Sequence, residues 1–78
     1  MVTRMEIQAN AKGVAAEVRA ELARQKISGR ELARRIDRNQ VWVARRLNGE
    51  VPITADELRE FAFILGKPIA QFYGEAAA

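Results

Sequence analysis

The stretch from Ser28 to Gly49, SGRELARRIDRNQVWVARRLNG, constrains the fold of this chain more than any other. It holds two short helical patterns joined by a break of about three residues, Asp37-Arg38-Asn39, a connection of the length found in a helix-turn-helix. In the first pattern Ser28 and Glu31 form a capping box and Ile27 can staple against Leu32. Leu32, Ala33 and Ile36 supply its buried face. In the second, Asn39 is the N-cap, and Val43 and Leu47 stand four apart as anchors to the core. Gly49 follows as a left-handed stop.

The flanking sequence is helical as well. Ile7, Ala11, Val14, Ala15, Val18 and Leu22 make one apolar helical stripe. Its start is open between a Thr3–Glu6 capping box and a cap at Asn10, so residues 1–9 are either an arm or an extra helical stretch. Val51-Pro52 is loop, because proline disfavours helix at the residue before it. Thr54 with Glu57 repeats the capping box, Ile53 can staple to Leu58, and Leu58, Phe61, Ala62 and Leu65 form the next core stripe, closed by Gly66. Pro68 suits the first position of a short fifth helix with Ile69 and Phe72 inward, stopped by Gly74 and followed by a frayed tail at 75–78. The expectation is all-α: one domain over residues 1–78, folded as a compact five-helix bundle with the helix-turn-helix at helices two and three.

At 78 residues with 49% apolar content there is material for one modest core and no second domain. There is no cysteine and no histidine, which removes disulfides, the usual neutral-pH acid/base and the commonest metal ligand. No phosphate-binding glycine loop or paired-carboxylate pocket is readable, so an enzyme, a cofactor and a small-molecule substrate are not expected. No apolar run nears the roughly 18 residues of a membrane span, and no signal peptide is visible, so a cytoplasmic protein is expected.

Charge is unevenly spread. Between Arg19 and Arg46 nine basic residues face three acids, whereas from Leu47 onward two basics face five acids. Within the second helix-turn-helix pattern no acid occurs between Arg38 and Asn48. A carboxylate there would repel phosphate, so this short helix is suited to the major groove of DNA. Gln40 at its start can bond adenine N6 and N7, or be a solvated first-turn residue. Arg45, one turn on, can bond guanine or phosphate, and Arg46, about 100 degrees round, is placed for phosphate. Val41 and Ala44 share the Gln40–Arg45 face and can meet a thymine methyl, the alternative being partial burial. Arg30, Arg34, Arg35 and Arg38 can supply phosphate contacts, the alternative being a solvated basic face; a Glu31–Arg35 pair supports the helix in either case. Asn39, besides capping, is a further phosphate candidate. Trp42, the sole tryptophan, can press on the DNA backbone, lie across helix two, or join an interface.

The segment resembles the helix-turn-helix of phage Cro and phage repressors, the XRE type. The match rests on Leu32-Ala33-x-x-Ile36, Gln40 opening the next helix, buried Val43, and Asn48-Gly49 closing it. The acidic helix with Leu58, Phe61 and Leu65, then Gly66-x-Pro68, extends it through about Tyr73. Asp37 departs from the pattern, which has glycine there; aspartate tolerates left-handed backbone better than most residues. The resemblance implies a lambda-repressor-like fold and a sequence-specific regulator that blocks transcription by occupying an operator. Its partner is double-stranded DNA, often bound as a homodimer on two-fold sites. An apolar Phe72-Tyr73 end or the N-terminal helical extension can serve as the dimer surface, the alternative being a monomer on an asymmetric site. The resemblance gives Asn48 a phosphate contact, though that residue is equally at home ending a helix. The alternative is a helical protein-interaction module, including an antitoxin-type partner-binding protein, on the same fold.

Overall fold

A computed structural model of the chain describes the backbone from Thr3 to Ala77 and the side chains of residues 13–73. Four α-helices, α1 (Thr3–Gln25), α2 (Gly29–Arg35), α3 (Gln40–Leu47) and α4 (Ala55–Leu65), precede a 3-10 segment at Ile69–Ala77, and no strand occurs among the described residues. The fifth helix of the sequence reading is thus corrected to 3-10 geometry. Pro68 has no N–H to donate, and its carbonyl accepts from Gln71 N at 3.0 Å, a three-residue return that tightens the turn. Gly74 does not stop the segment, since glycine costs only backbone entropy there. The expected frayed tail is therefore regular as far as Ala77. At the other end, α1 begins at Thr3, so the arm gives way to helix. The Thr3–Glu6 and Asn10 caps, and Ile7 and Ala11 of the stripe, lie outside the described side chains.

At ~1.5 Å per residue, the 23 residues of α1 account for most of the 40 Å long axis of a molecule 23 × 20 Å across. Its C-terminal half is the spine against which the other elements pack. It contacts the 3-10 segment, α3 and α4, while α2 packs on α3. Val14, Val18 and Leu22 of α1 meet Leu32, Ala33 and Ile36 of α2, Val43 of α3, the Leu58/Phe61/Ala62/Leu65 stripe of α4, and Phe72. These are the core positions the helical periodicity predicts. No helix among the described residues is long and apolar enough to cross a membrane.

One buried charge interrupts this core. Glu21 lies on the apolar side of α1, 3% exposed, and accepts hydrogen bonds from Arg24 Nε (2.9 Å), Gln25 Nε2 (2.8 Å) and Gln71 Nε2 (2.8 Å). Gln25 also donates to the Leu65 carbonyl at 2.8 Å. The network ties α1 to the end of α4 and to the 3-10 segment, so no buried side-chain polar atom among the described residues lacks a partner. The Gln25 hydrogen bond outweighs the cost of burial and, with Gln71 and Arg24, lowers the Glu21 carboxyl from 4.5 to about 2.

All four α-helices end the same way. Two or three residues past the end, a backbone N–H donates back to the carbonyl five positions earlier: Ile27 to Leu22, Arg38 to Ala33, Glu50 to Arg45, Lys67 to Ala62. This Schellman closure needs a left-handed residue, supplied by glycine at Gly49 and Gly66 but by Lys26 and Asp37, both at φ 58°, in the other two. The left-handed turn expected at Asp37 is present; the one at Lys26 was not legible. Lysine lacks the short side chain that eases this conformation. Lys26→Gly is therefore expected to raise stability by about 0.5–1 kcal/mol, relief of strain exceeding the entropic cost of glycine. Asp37→Gly gains less. A denaturant midpoint that falls in Lys26→Gly would contradict this account.

Candidate nucleic-acid interface

Helix α3 owes its start to Asn39, whose Oδ1 accepts from Val41 N at 2.7 Å and Trp42 N at 3.4 Å. Its residues then fall into strips four apart. Val43, 1% exposed, and half-buried Leu47 face the core, while Trp42 and Arg46 turn toward α4. Gln40, Val41, Ala44 and Arg45 are all exposed. Val41 is 57% exposed, so the partial burial considered for it does not occur. The four residues expected to read bases thus share the free side of one helix, whose first turn carries no acid.

The cations around this face divide into committed and available ones. Arg46 was expected at phosphate, but its side chain is only 14% exposed. Its Nε donates to Glu57 Oε1 at 3.0 Å, its NH1 donates to the Trp42 carbonyl, and its guanidinium carbon sits 3.8 Å from the Trp42 ring centroid. That is a structural ion pair between α3 and α4. Trp42 makes a T-shaped pair with Phe61 of α4 at 6.3 Å and 80°, and also carries the Arg38 guanidinium at 4.5 Å. Burial disfavours the Glu57 charge, but the Arg46 hydrogen bond, the Thr54 N–H and the charges of Arg46 and Arg38 prevail and hold its carboxyl below the usual range. Glu57 also completes the expected capping box with Thr54.

On α2 the box at Ser28 is only half formed. Ser28 Oγ accepts from Glu31 N at 3.0 Å, but the Glu31 carboxylate turns to Arg34 (Nε, 3.0 Å) and Arg35 (Nε, 2.8 Å). Two charge-assisted bonds outcompete one neutral N–H. The pair expected with Arg35 is present, and Arg34 joins it; together, Arg34 first, they lower the Glu31 carboxyl to about 2. Asn48 is likewise engaged, donating to Glu50 Oε2 at 3.1 Å and accepting from Glu50 N at 3.2 Å. Arg30 and Arg45 are exposed and form no ion pair among the described residues.

Beside the exposed strip runs a groove of about 490 Å³ between α1, α2 and α3. Gln40, Ala44 and Asn48 form its α3 side, Gly29 and Arg30 come from α2, and Arg19 from α1. No carboxylate lines it. Arg19 donates to the carbonyl of Leu47, the last residue of α3. Reasoning from the motif alone overlooks Arg19, because it lies nine residues before Ser28. Its only signal was membership in the basic run.

Phe72 is fully buried and Tyr73 partly so. The expected Phe72-Tyr73 dimer surface is therefore largely consumed by the core; among the described residues the large apolar side chains left exposed are Val41 on α3 and, at 83%, Phe63 on α4. No protein-family model matches this chain, and no curated protein or solved structure matches it either.

Proposed function

We propose that this chain is a lambda-repressor-like, sequence-specific regulator that binds double-stranded DNA by laying α3 in the major groove and represses by occupying an operator. The observation that carries this reading is the uninterrupted exposure of Gln40, Val41, Ala44 and Arg45 on one face of a short helix whose other strips are fixed to the core and to α4. Gln40 reads adenine, Arg45 reads guanine or the adjoining phosphate, and Val41 with Ala44 brings the helix close enough to meet thymine methyls. Arg30 and Arg38 anchor phosphates. Arg34 and Arg35 contribute less than their number implies, because Glu31 already neutralises part of their charge. Asn39 and Asn48 reach phosphate only by sharing groups already used in the cap and by Glu50. Arg46 acts as a brace for α3.

Selection of bound duplexes from a random pool, followed by titration of variants, tests this. Gln40→Ala is expected to flatten the preference at one or two base pairs, costing about 1–3 kcal/mol on the selected site. Arg30→Ala is expected to weaken every duplex alike and to reduce the slope of log affinity against log salt by about 0.9. A pool that shows no enrichment, with both variants binding as the parent does, refutes the assignment. The second reading, a partner-binding module, is favoured by the exposure of Phe63. Binding through such an apolar surface would change little between low and moderate salt.

A further inference from the structure

Arg19 stands outside the helix-turn-helix, yet its guanidinium reaches the end of α3 and lines the same groove as Arg30 and Gln40. Only one bond, to the Leu47 carbonyl, is made among the described residues. A guanidinium carries five N–H donors and a full charge, so most of its capacity faces the groove and solvent. Arg30 brings a second unpaired cation to the same space, and Ser28, Gln40 and Asn48 add neutral polar groups. Two like charges sharing a cleft without a counter-ion repel each other, and an anion between them turns that repulsion into attraction. Glycine at position 29 and alanine at 44 leave the floor low, and a Cβ on Gly29 would lie 3.5 Å from Leu47 Cδ1, within the groove.

The anion must also suit what lies beside it. The groove shares Gln40 and Ala44 with the strip assigned above to base reading, so an occupant of the groove runs alongside the bases that strip touches. We infer that the groove seats a sugar-phosphate segment of the DNA strand read by α3, with Arg19 on α1 and Arg30 on α2 gripping it. This inference rests on the DNA-binding reading and extends the interface to a third helix. It makes α1 a contact element as well as a spine. Because Arg19 also holds the Leu47 carbonyl, the same side chain couples the seating of the phosphate to the position of the C-terminal end of α3.

Three forms of the protein separate charge from scaffolding: parent, Arg19→Lys and Arg19→Gln. Glutamine keeps a donor for the Leu47 carbonyl but removes the charge, whereas lysine keeps the charge. Binding is measured by fluorescence anisotropy on a random-sequence duplex between about 50 and 200 mM salt, since the phosphate contribution is independent of sequence. Arg19→Gln is expected to bind several-fold more weakly at the low end, with a salt slope smaller by about 0.9, while Arg19→Lys keeps the parent slope. Thermal melts of all three coincide within a few degrees. If the parent binds duplex with a normal salt dependence and Arg19→Gln shows the same slope, this inference fails and the DNA-binding reading stands. If lysine loses as much slope as glutamine, Arg19 is a strut for α3 and no phosphate contact. Displacement of duplex by inorganic phosphate, at ionic strength matched with chloride, would make the groove a free-anion site and also overturn the inference. A parent that binds no duplex in a salt-dependent way overturns both readings together.

Discussion

Replacing Phe72 with alanine is expected to remove about 3–5 kcal/mol of stability, the range for truncating a fully buried aromatic ring. Phe72 has no exposed surface and, among the described side chains of the 3-10 segment, is the one wholly inside the core. The segment itself packs against both α1 and α4. A domain of 78 residues has a total stability of only about 4–12 kcal/mol at ~0.05–0.15 kcal/mol per residue, so this single change removes a large fraction of it. The loss has a second component in the same place. Gln71 precedes Phe72 and donates to buried Glu21, so undocking the ring also withdraws one of three hydrogen bonds from that carboxylate. Phe72→Leu keeps most of the volume and should cost less than about 1.5 kcal/mol. Urea unfolding followed by circular dichroism distinguishes the cases. A Phe72→Ala protein as stable as the parent would mean that the C-terminal segment is dispensable to the core.

Phe72 also shows which parts of the molecule the sequence makes legible. Its inward orientation follows from Pro68 and the spacing to Ile69, which are local facts. The helix caps at Asn39 and Thr54, the left-handed turn at Asp37 and the core stripes are local in the same sense, set within three to five residues. The 3-10 geometry was missed because apolar spacing over one or two turns does not separate it from α-helix. The Glu31 pairs with Arg34 and Arg35 are local too, but the contacts that engage Arg46 and complete the Glu21 network are not. Arg46 finds Glu57 eleven residues on, and Glu21 finds Gln71 fifty residues on, distances at which composition carries no pairing information. Glu21 did leave a trace, being an acid three residues after Val18 on an otherwise apolar stripe. That position announces a buried charge without naming its partners. Counting basic residues therefore overstates the charge that α2 and α3 leave unpaired, and the ion pairs at Glu31 and Glu57 correct the count.

The Glu57 pair gives the second large effect. Glu57→Ala is expected to cost about 2–4 kcal/mol, because it strands Arg46 at 14% exposure without its anion and deprives Thr54 N of the acceptor in the capping box. In a cycle with Arg46→Met the double variant should recover part of the loss, with a coupling of about 1–3 kcal/mol; strict additivity would show that the pair is idle. Trp42, the only tryptophan, lies under Arg46, so its emission reports the rearrangement directly. Acidity gives an independent handle. Glu57 and Glu21 both titrate below their usual 4.5 in the folded protein, so the stability they contribute is complete above that value. The part from Glu21 drains away as pH falls from 4.5 toward 2, where its folded carboxyl takes up a proton, and the part from Glu57 is lost as pH falls through its own lowered folded value. Glu57→Ala should lose stability less steeply than the parent over this window, because one of the three linked groups, Glu21, Glu31 and Glu57, is gone. The remaining slope then belongs to Glu21 and Glu31, and salt should reduce only the part from Glu31, whose arginine pairs are exposed to solvent. On the proposed DNA-binding reading, in which Arg46 braces α3 and makes no phosphate contact, the same variant is expected to bind duplex more weakly at neutral pH with the salt slope of the parent.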